Sequence, residues 1–178
     1  GSAAVGVEST VLDVTTTPPV ILRPGGITKE MLLPLCGQVA EAGHTTPVGI
    51  APKAPGMKYR HYAPNAELTI VRGSTEKVVK YINEQCQMLQ AEGKKTGVIG
   101  TDETRERYQG SVVKSIGTRQ DEEGIARHLF GILREFDEEK ADCIFSESFD
   151  TPRMGQAIMN RLLKAAGHKI INIRREEQ

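Results

Sequence analysis

Hydrophobic side chains follow three successive patterns along this chain. Up to about Gly37, apolar and β-branched residues gather in two short runs. The first is Val5-Gly6-Val7-Glu8-Ser9-Thr10-Val11-Leu12-Asp13-Val14 and the second is Val20-Ile21-Leu22, with Thr16-Thr17-Pro18-Pro19 breaking the chain between them. Runs of this kind around turn formers predict a hairpin. Thr28 is placed to cap a short helix through Leu33. Pro34 is expected to interrupt it, because proline lacks an N–H and clashes with the preceding turn. A two-stranded hairpin is marginal alone in water, so other structure is expected to cover this one.

From His44 to about Asn65 the pattern dissolves. Thr45 to Pro64 holds four prolines and two glycines, which rules out a long helix or a central strand. Such a stretch is extended and semi-rigid, and suits a linker. Its second half contains Tyr59 and Tyr62 interleaved with Lys58, Arg60 and His61. Those rings can pack a linker onto a neighbour, but a passive linker does not need aromatics set among cations.

From Glu67 onward, strand and helix rhythms alternate. Leu68-Thr69-Ile70-Val71 reads as a strand, and Ser74 can cap a helix with Val78, Ile82, Cys86 and Leu89 on one face, closed by Gly93. Gly97-Val98-Ile99 and Val112-Val113 with Ile116 read as further strands. Asp121 can cap a helix with an apolar face of Ile125, Leu129, Ile132, Leu133 and Phe136. Cys143-Ile144-Phe145 is a fourth strand. Thr151 followed by Pro152 reads as an N-cap and first-turn pair for a helix through Ala157, Ile158 and Leu162 that Gly167 closes. Ile170-Ile171 with Ile173 is the last strand. This alternation predicts an α/β fold, with a Rossmann-like, mostly parallel sheet and right-handed crossovers. The expected division is residues 1–43, a linker over 44–66, and an α/β domain over 67–178.

Composition narrows the function classes. The 178 residues carry 23 Lys and Arg against 23 Asp and Glu, so the formal charge is zero, which argues against a chain built to grip nucleic-acid backbone. No apolar run is long enough to span a membrane. Cys36, Cys86 and Cys143 are odd in number and far apart, which favours reduced thiols in a cytoplasmic protein over a disulfide framework or a zinc site.

Ligands of a parallel α/β sheet sit beyond the carboxyl ends of its strands. The polar residues there are Gly100-Thr101-Asp102-Glu103 and Ser146-Glu147-Ser148. Neither is a recognised fingerprint, and such groups ordinarily cap the next helix or face water. His44, His128 and His168 lack metal-ligand spacing; His128 is expected to pack against its helix's apolar face. The front piece is more suggestive. Ser9 and Thr10 bring hydroxyls to a strand run, and Arg23, followed by Pro24-Gly25-Gly26, presents a planar fork suited to phosphate or carboxylate.

Gly6-Val7-Glu8-Ser9-Thr10-Val11, Ile21-Leu22-Arg23-Pro24-Gly25 and Pro55-Gly56-Met57-Lys58-Tyr59-Arg60-His61-Tyr62-Ala63-Pro64 occur in that order. The set closely resembles the two-domain threonylcarbamoyl-AMP synthases of the YrdC/YwlC family. The resemblance covers the whole chain, but only the rear half of the family's protein. It implies that residues 1–43 end a YrdC-like catalytic α/β domain whose Lys-x-Arg and Ser-x-Asn signatures lie upstream. Lys58-Tyr59-Arg60 spells the first of these inside the linker, which is read as coincidence. The family joins L-threonine, bicarbonate and ATP into threonylcarbamoyl-AMP and pyrophosphate, with Mg2+ balancing the phosphates. Its product feeds threonylcarbamoyl-adenosine formation in tRNA, so tRNA is an indirect partner, reached through a downstream transferase. By this resemblance Ser9 contacts threonine, while Arg23 and Tyr62 contact ATP. Lys58 and Arg60 assist, and the linker serves as a lid. No catalytic residue and no protein-held metal is implied within the chain, which alone is expected to be inactive. A second reading, that the rear α/β domain is a regulatory, ligand-binding or RNA-binding module, stays open at this level.

Overall fold

The computed structural model describes residues 9–42, 63–151 and 153–173. Two sheets organise them. The smaller holds β1 (Val11–Asp13), β2 (Val20–Arg23) and β3 (Ala40–Glu41), in the order β1-β2-β3. β1 and β2 form the expected antiparallel hairpin. β3 adds a parallel strand that no sequence pattern announces, because two residues are too few to show a period. Helix α1 (Lys29–Cys36) links β2 to β3. It corrects the expected break at Pro34, which lies inside the helix. The last turn still closes, with Gly37 N–H donating to the Leu33 carbonyl at 2.8 Å. Gly37 then takes a positive φ of 69°, a conformation that costs glycine little.

The larger sheet has five strands: β4 (Glu67–Arg72), β5 (Thr96–Gly100), β6 (Val112–Ser115), β7 (Cys143–Glu147) and β8 (Ile170–Asn172). Their order is β6-β5-β7-β4-β8, and every neighbouring pair is parallel. Parallel strands require crossovers. Helix α2 (Thr75–Ala91) carries β4 to β5, α3 (Glu122–Glu138) carries β6 to β7, and α4 (Gly155–Ala165) carries β7 to β8. The β4–β5 crossover runs one way across the sheet, and the other two run the opposite way. A single handedness therefore demands that α2 lie on one face and α3 with α4 on the other. The packing shows this separation. Val78, Val79, Ile82 and Cys86 of α2 pack with Val71, Val98, Tyr108 and Phe145. The apolar faces of α3 and α4 pack with Leu68, Ile70, Ile99 and Ile144. Because both faces are covered, β5 is buried along its whole length and reads as a continuous apolar run rather than an alternating one.

Three local expectations change. Ser74 precedes α2 in extended backbone but makes no side-chain capping bond. His128 is exposed, with Nδ1 3.3 Å from the Ile116 carbonyl, rather than packed in the core. Helix α4 begins at Gly155 and not beside Thr151, while Pro152 lies outside the described residues. Its entry is held from a distance: the Glu122 carboxylate on the first turn of α3 accepts from the backbone N–H groups of Arg153, at 3.2 Å, and Met154. Asp121 does cap α3, accepting from Gly124 N–H at 2.9 Å.

The hairpin's expected need for cover is met partly by the chain itself. Gln156 of α4 donates to Glu41 of β3 at 2.6 Å, and Glu41 also pairs with Lys29 at 3.2 Å. Met31 and Leu35 of α1 remain exposed.

Gly97 sits in the middle of β5 under the Phe136 ring, and a Cβ there would lie 2.7 Å from Phe136 Cε1. Phe136 is fully buried and cannot swing aside. Gly97→Ala is expected to destabilise the fold by about 1–3 kcal/mol, the usual cost of overpacking. Urea unfolding checks this, and an unchanged midpoint would show that the β5–α3 contact can open without cost.

Candidate functional site

The front residues singled out by sequence come together at one end of the hairpin. Val11 pairs with Arg23, and the β1–β2 register shifts between Val11 and Leu12. Such irregularities bend a strand and re-aim its side chains. Here the bend brings Ser9 back over Arg23, whose Nε donates to the Ser9 carbonyl at 3.0 Å. Ser9 is exposed and Arg23 half-buried. The adjacent hydroxyl has different work. Thr10 Oγ1 donates to the Ile27 carbonyl at 2.6 Å and accepts from Ile27 N–H at 3.0 Å. That clasp ties the start of β1 to the end of the Pro24-Gly25-Gly26 loop. Residue type alone offers both hydroxyls and the resemblance singles out Ser9; in the fold Thr10 Oγ1 is taken up by Ile27. Tyr62, Lys58 and Arg60 lie outside the described residues, as do Tyr59 and His61.

A second polar site forms at the carboxyl edge of the larger sheet. β4 and β7 are neighbours, with Val71 paired to Glu147, yet α2 and α4 leave them toward opposite faces. A crevice of about 350 Å³ opens there, lined by Arg72, Gly73, Thr75, Arg119, Glu147 and Asp150 among others. Glu147 is only 2% exposed. Its Oε1 accepts from Thr104 Oγ1 and from the Tyr108 hydroxyl, the latter at 2.8 Å, while Arg119 Nη2 donates to Oε2. Burial pushes the Tyr108 phenol up to about 12, so it stays a donor across the physiological range.

Arg119 arrives on the loop between β6 and α3, and that loop is pinned from below. Glu103 accepts from the Thr118 hydroxyl at 2.6 Å and from Arg119 N–H at 3.1 Å. These bonds, led by Thr118, hold the Glu103 carboxyl down at about 2. Across the crevice, Asp150 grips Arg72 as a fork, with Nε–Oδ2 at 2.8 Å and Nη2–Oδ1 at 2.6 Å. The post-strand segments thus do more than cap helices. Their hidden member is Glu147, which the sequence shows only as one acid after an apolar run.

A family profile described as threonylcarbamoyl-AMP synthase, C-terminal domain, matches residues 27–167. The threonylcarbamoyl-AMP synthase of Bacillus subtilis is 44% identical over 171 residues, covering 96% of this chain and 48% of that protein. The chain spans about half the length of the curated relatives it matches. Among solved structures, Pyrococcus abyssi Sua5 complexed with L-threonine is 41% identical with a TM-score of 0.84, covering 98% of this chain and 50% of that one. A structure of the same protein with an adjacent His and Tyr both changed to alanine is 40% identical with a TM-score of 0.86, covering 98% and 49%.

The Glu103 clasp predicts a pH response of definite sign. A depressed carboxylate stabilises the fold fully above its ordinary value of 4.5 and loses that contribution as pH falls through about 2. Thr118→Val should move the Glu103 midpoint up toward 4.5, read by carboxyl carbon NMR titration. A midpoint that stays in place would mean that Thr118 does not hold the loop.

Proposed function

Because the chain belongs to the threonylcarbamoyl-AMP synthase C-terminal-domain family, we propose that it is the rear part of an enzyme that makes threonylcarbamoyl-AMP and pyrophosphate from L-threonine, bicarbonate and ATP. The observation that carries this reading is the match along nearly the whole chain to a synthase about twice its length. A close structural neighbour solved with L-threonine supports threonine as a substrate.

In this reading the threonine amine and bicarbonate form a carbamate with loss of water. A carbamate oxygen then attacks the α-phosphorus of ATP, and the bond to the β-phosphate breaks to release pyrophosphate. Positioning and charge stabilisation supply most of the acceleration in such a transfer. Ser9 contacts threonine through its exposed hydroxyl. Arg23 meets the nucleotide, its guanidinium plane oriented by the Ser9 carbonyl. Tyr62 reaches ATP from the linker, with Lys58 and Arg60 assisting. His61–Tyr62 is the one His–Tyr dipeptide in the sequence. That an adjacent His and Tyr were both replaced in a neighbour's structure supports attention to this pair.

Among the described residues no group of three or more His, Cys, Asp or Glu side chains could hold a metal. In this reading Mg2+ comes with ATP and balances its phosphates. Burial raises the thiols of Cys86 and Cys143, keeping them protonated and inert, which suits a reducing cytoplasm. Among the described residues no helix is long and apolar enough to cross a membrane. tRNA is served indirectly, through the transferase that consumes the adenylate.

The role assignment has a kinetic signature in the longer protein that carries this chain. Ser9→Ala should lower kcat/KM for threonine by about 10- to 100-fold while changing ATP use far less, and Tyr62→Ala should do the reverse. The 178-residue chain alone should release no pyrophosphate. Equal losses toward both substrates in both variants would contradict the roles, and turnover by the chain alone would contradict the division of labour.

A further inference from the structure

The crevice at the carboxyl edge of β4 and β7 has no part in the synthase reading, yet it is built like a binding site. It lies where helices leave adjacent parallel strands toward opposite faces, the place where open α/β sheets bind ligands. Its volume, about 350 Å³, falls within the range of small-molecule pockets. Fold position alone would not make it a site.

Glu147 places a carboxylate where it is 2% exposed, and spends three donors to keep it there. A buried ion pair adds little net stability, because desolvating both partners offsets their attraction. What the arrangement does achieve is orientation. Arg119 is held by Glu147 through Nη2, reaches the Ser148 carbonyl through Nη1 at 3.4 Å, and lies 5.9 Å from the Phe149 ring centroid. Its backbone is clasped separately by Glu103. A guanidinium oriented from several sides loses little freedom on meeting a ligand. Arg72 faces the same space from β4, set by its fork with Asp150. Between them runs the entry to α2, where Thr75 lines the crevice and Ser74 makes no capping bond.

We infer that this crevice binds a small phosphate-bearing molecule, with Arg72 and Arg119 as its two recognising side chains. A guanidinium offers five N–H donors, more than one carboxylate can occupy, and its planar fork matches phosphate oxygens. Glu147 and Asp150 balance the two arginines in charge. Affinity therefore comes from placed donors rather than from a net positive field, and a compact anion is favoured over a polymer. This inference stands independently of the synthase reading.

The test is an amide NMR titration of the intact 178-residue chain with inorganic phosphate, pyrophosphate and AMP. Citrate serves as the carboxylate arm, and sodium chloride matches ionic strength. Saturable shifts are expected at residues 72–75, 119 and 147–150, weakened about tenfold in both Arg72→Gln and Arg119→Lys. Arg119→Lys keeps a cation opposite Glu147. Arg72→Gln alters a half-exposed surface pair, so that variant alone decides the matter if the other fails to fold. No saturable shift with any phosphate probe, shifts centred elsewhere, or wild-type binding by Arg72→Gln would overturn the inference. Tighter binding of citrate than of every phosphate probe would overturn the phosphate assignment.

Discussion

A parallel sheet must be covered on both faces, and most of this structure follows from that requirement. The runs in β4, β5 and β7 are apolar on both sides, so neither face can be left to water. Three helices do the covering. The direction of each crossover decides which face each helix takes. Two helices going one way and one going the other leave a crevice between β4 and β7. The polar residues at the carboxyl ends of the strands then meet there, although Arg72, Arg119 and Glu147 are widely spaced along the chain.

The smaller sheet obeys a weaker version of the same rule. Three short strands and one helix cannot bury both their faces, and α1 contains no buried residue. Part of the deficit is met where Glu41 bonds Gln156. The rest shows as exposed Ile27, Met31 and Leu35. In the synthase reading this sheet belongs to a larger catalytic body. In the same reading its polar end, where Ser9 and Arg23 meet, is the edge of a cleft that the rest of such a synthase completes.

The α/β rhythm was legible because the rear strands are bounded by turn formers and the helices keep their apolar spacing. Val78, Ile82 and Cys86, and Ile125, Leu129, Ile132, Leu133 and Phe136, are buried as their periodicity implies. What sequence could not show depends on distant partners. The start of α4 is held by Glu122, about thirty residues earlier, a partner that no local pattern around Thr151 announces. Strand order escapes a linear reading too, since β7 lies between strands that precede it. At the candidate sites, sequence singles out Ser9 and Arg23, and the fold sets them side by side. Thr10 as a clasp and Glu147 as a buried anchor were not legible, because hydroxyls and acids look alike until their partners are known. The residues that carried the family resemblance fall partly in the linker, outside the described structure.

In the synthase reading, the Ser9–Arg23 end of the small sheet forms part of the active site. A crystal structure of the longer protein with L-threonine and a non-hydrolysable ATP analogue tests it most directly. The Ser9 hydroxyl is expected within hydrogen-bond distance of threonine and the Arg23 guanidinium against the nucleotide. Both substrates bound in that structure with neither side chain touching either would contradict it.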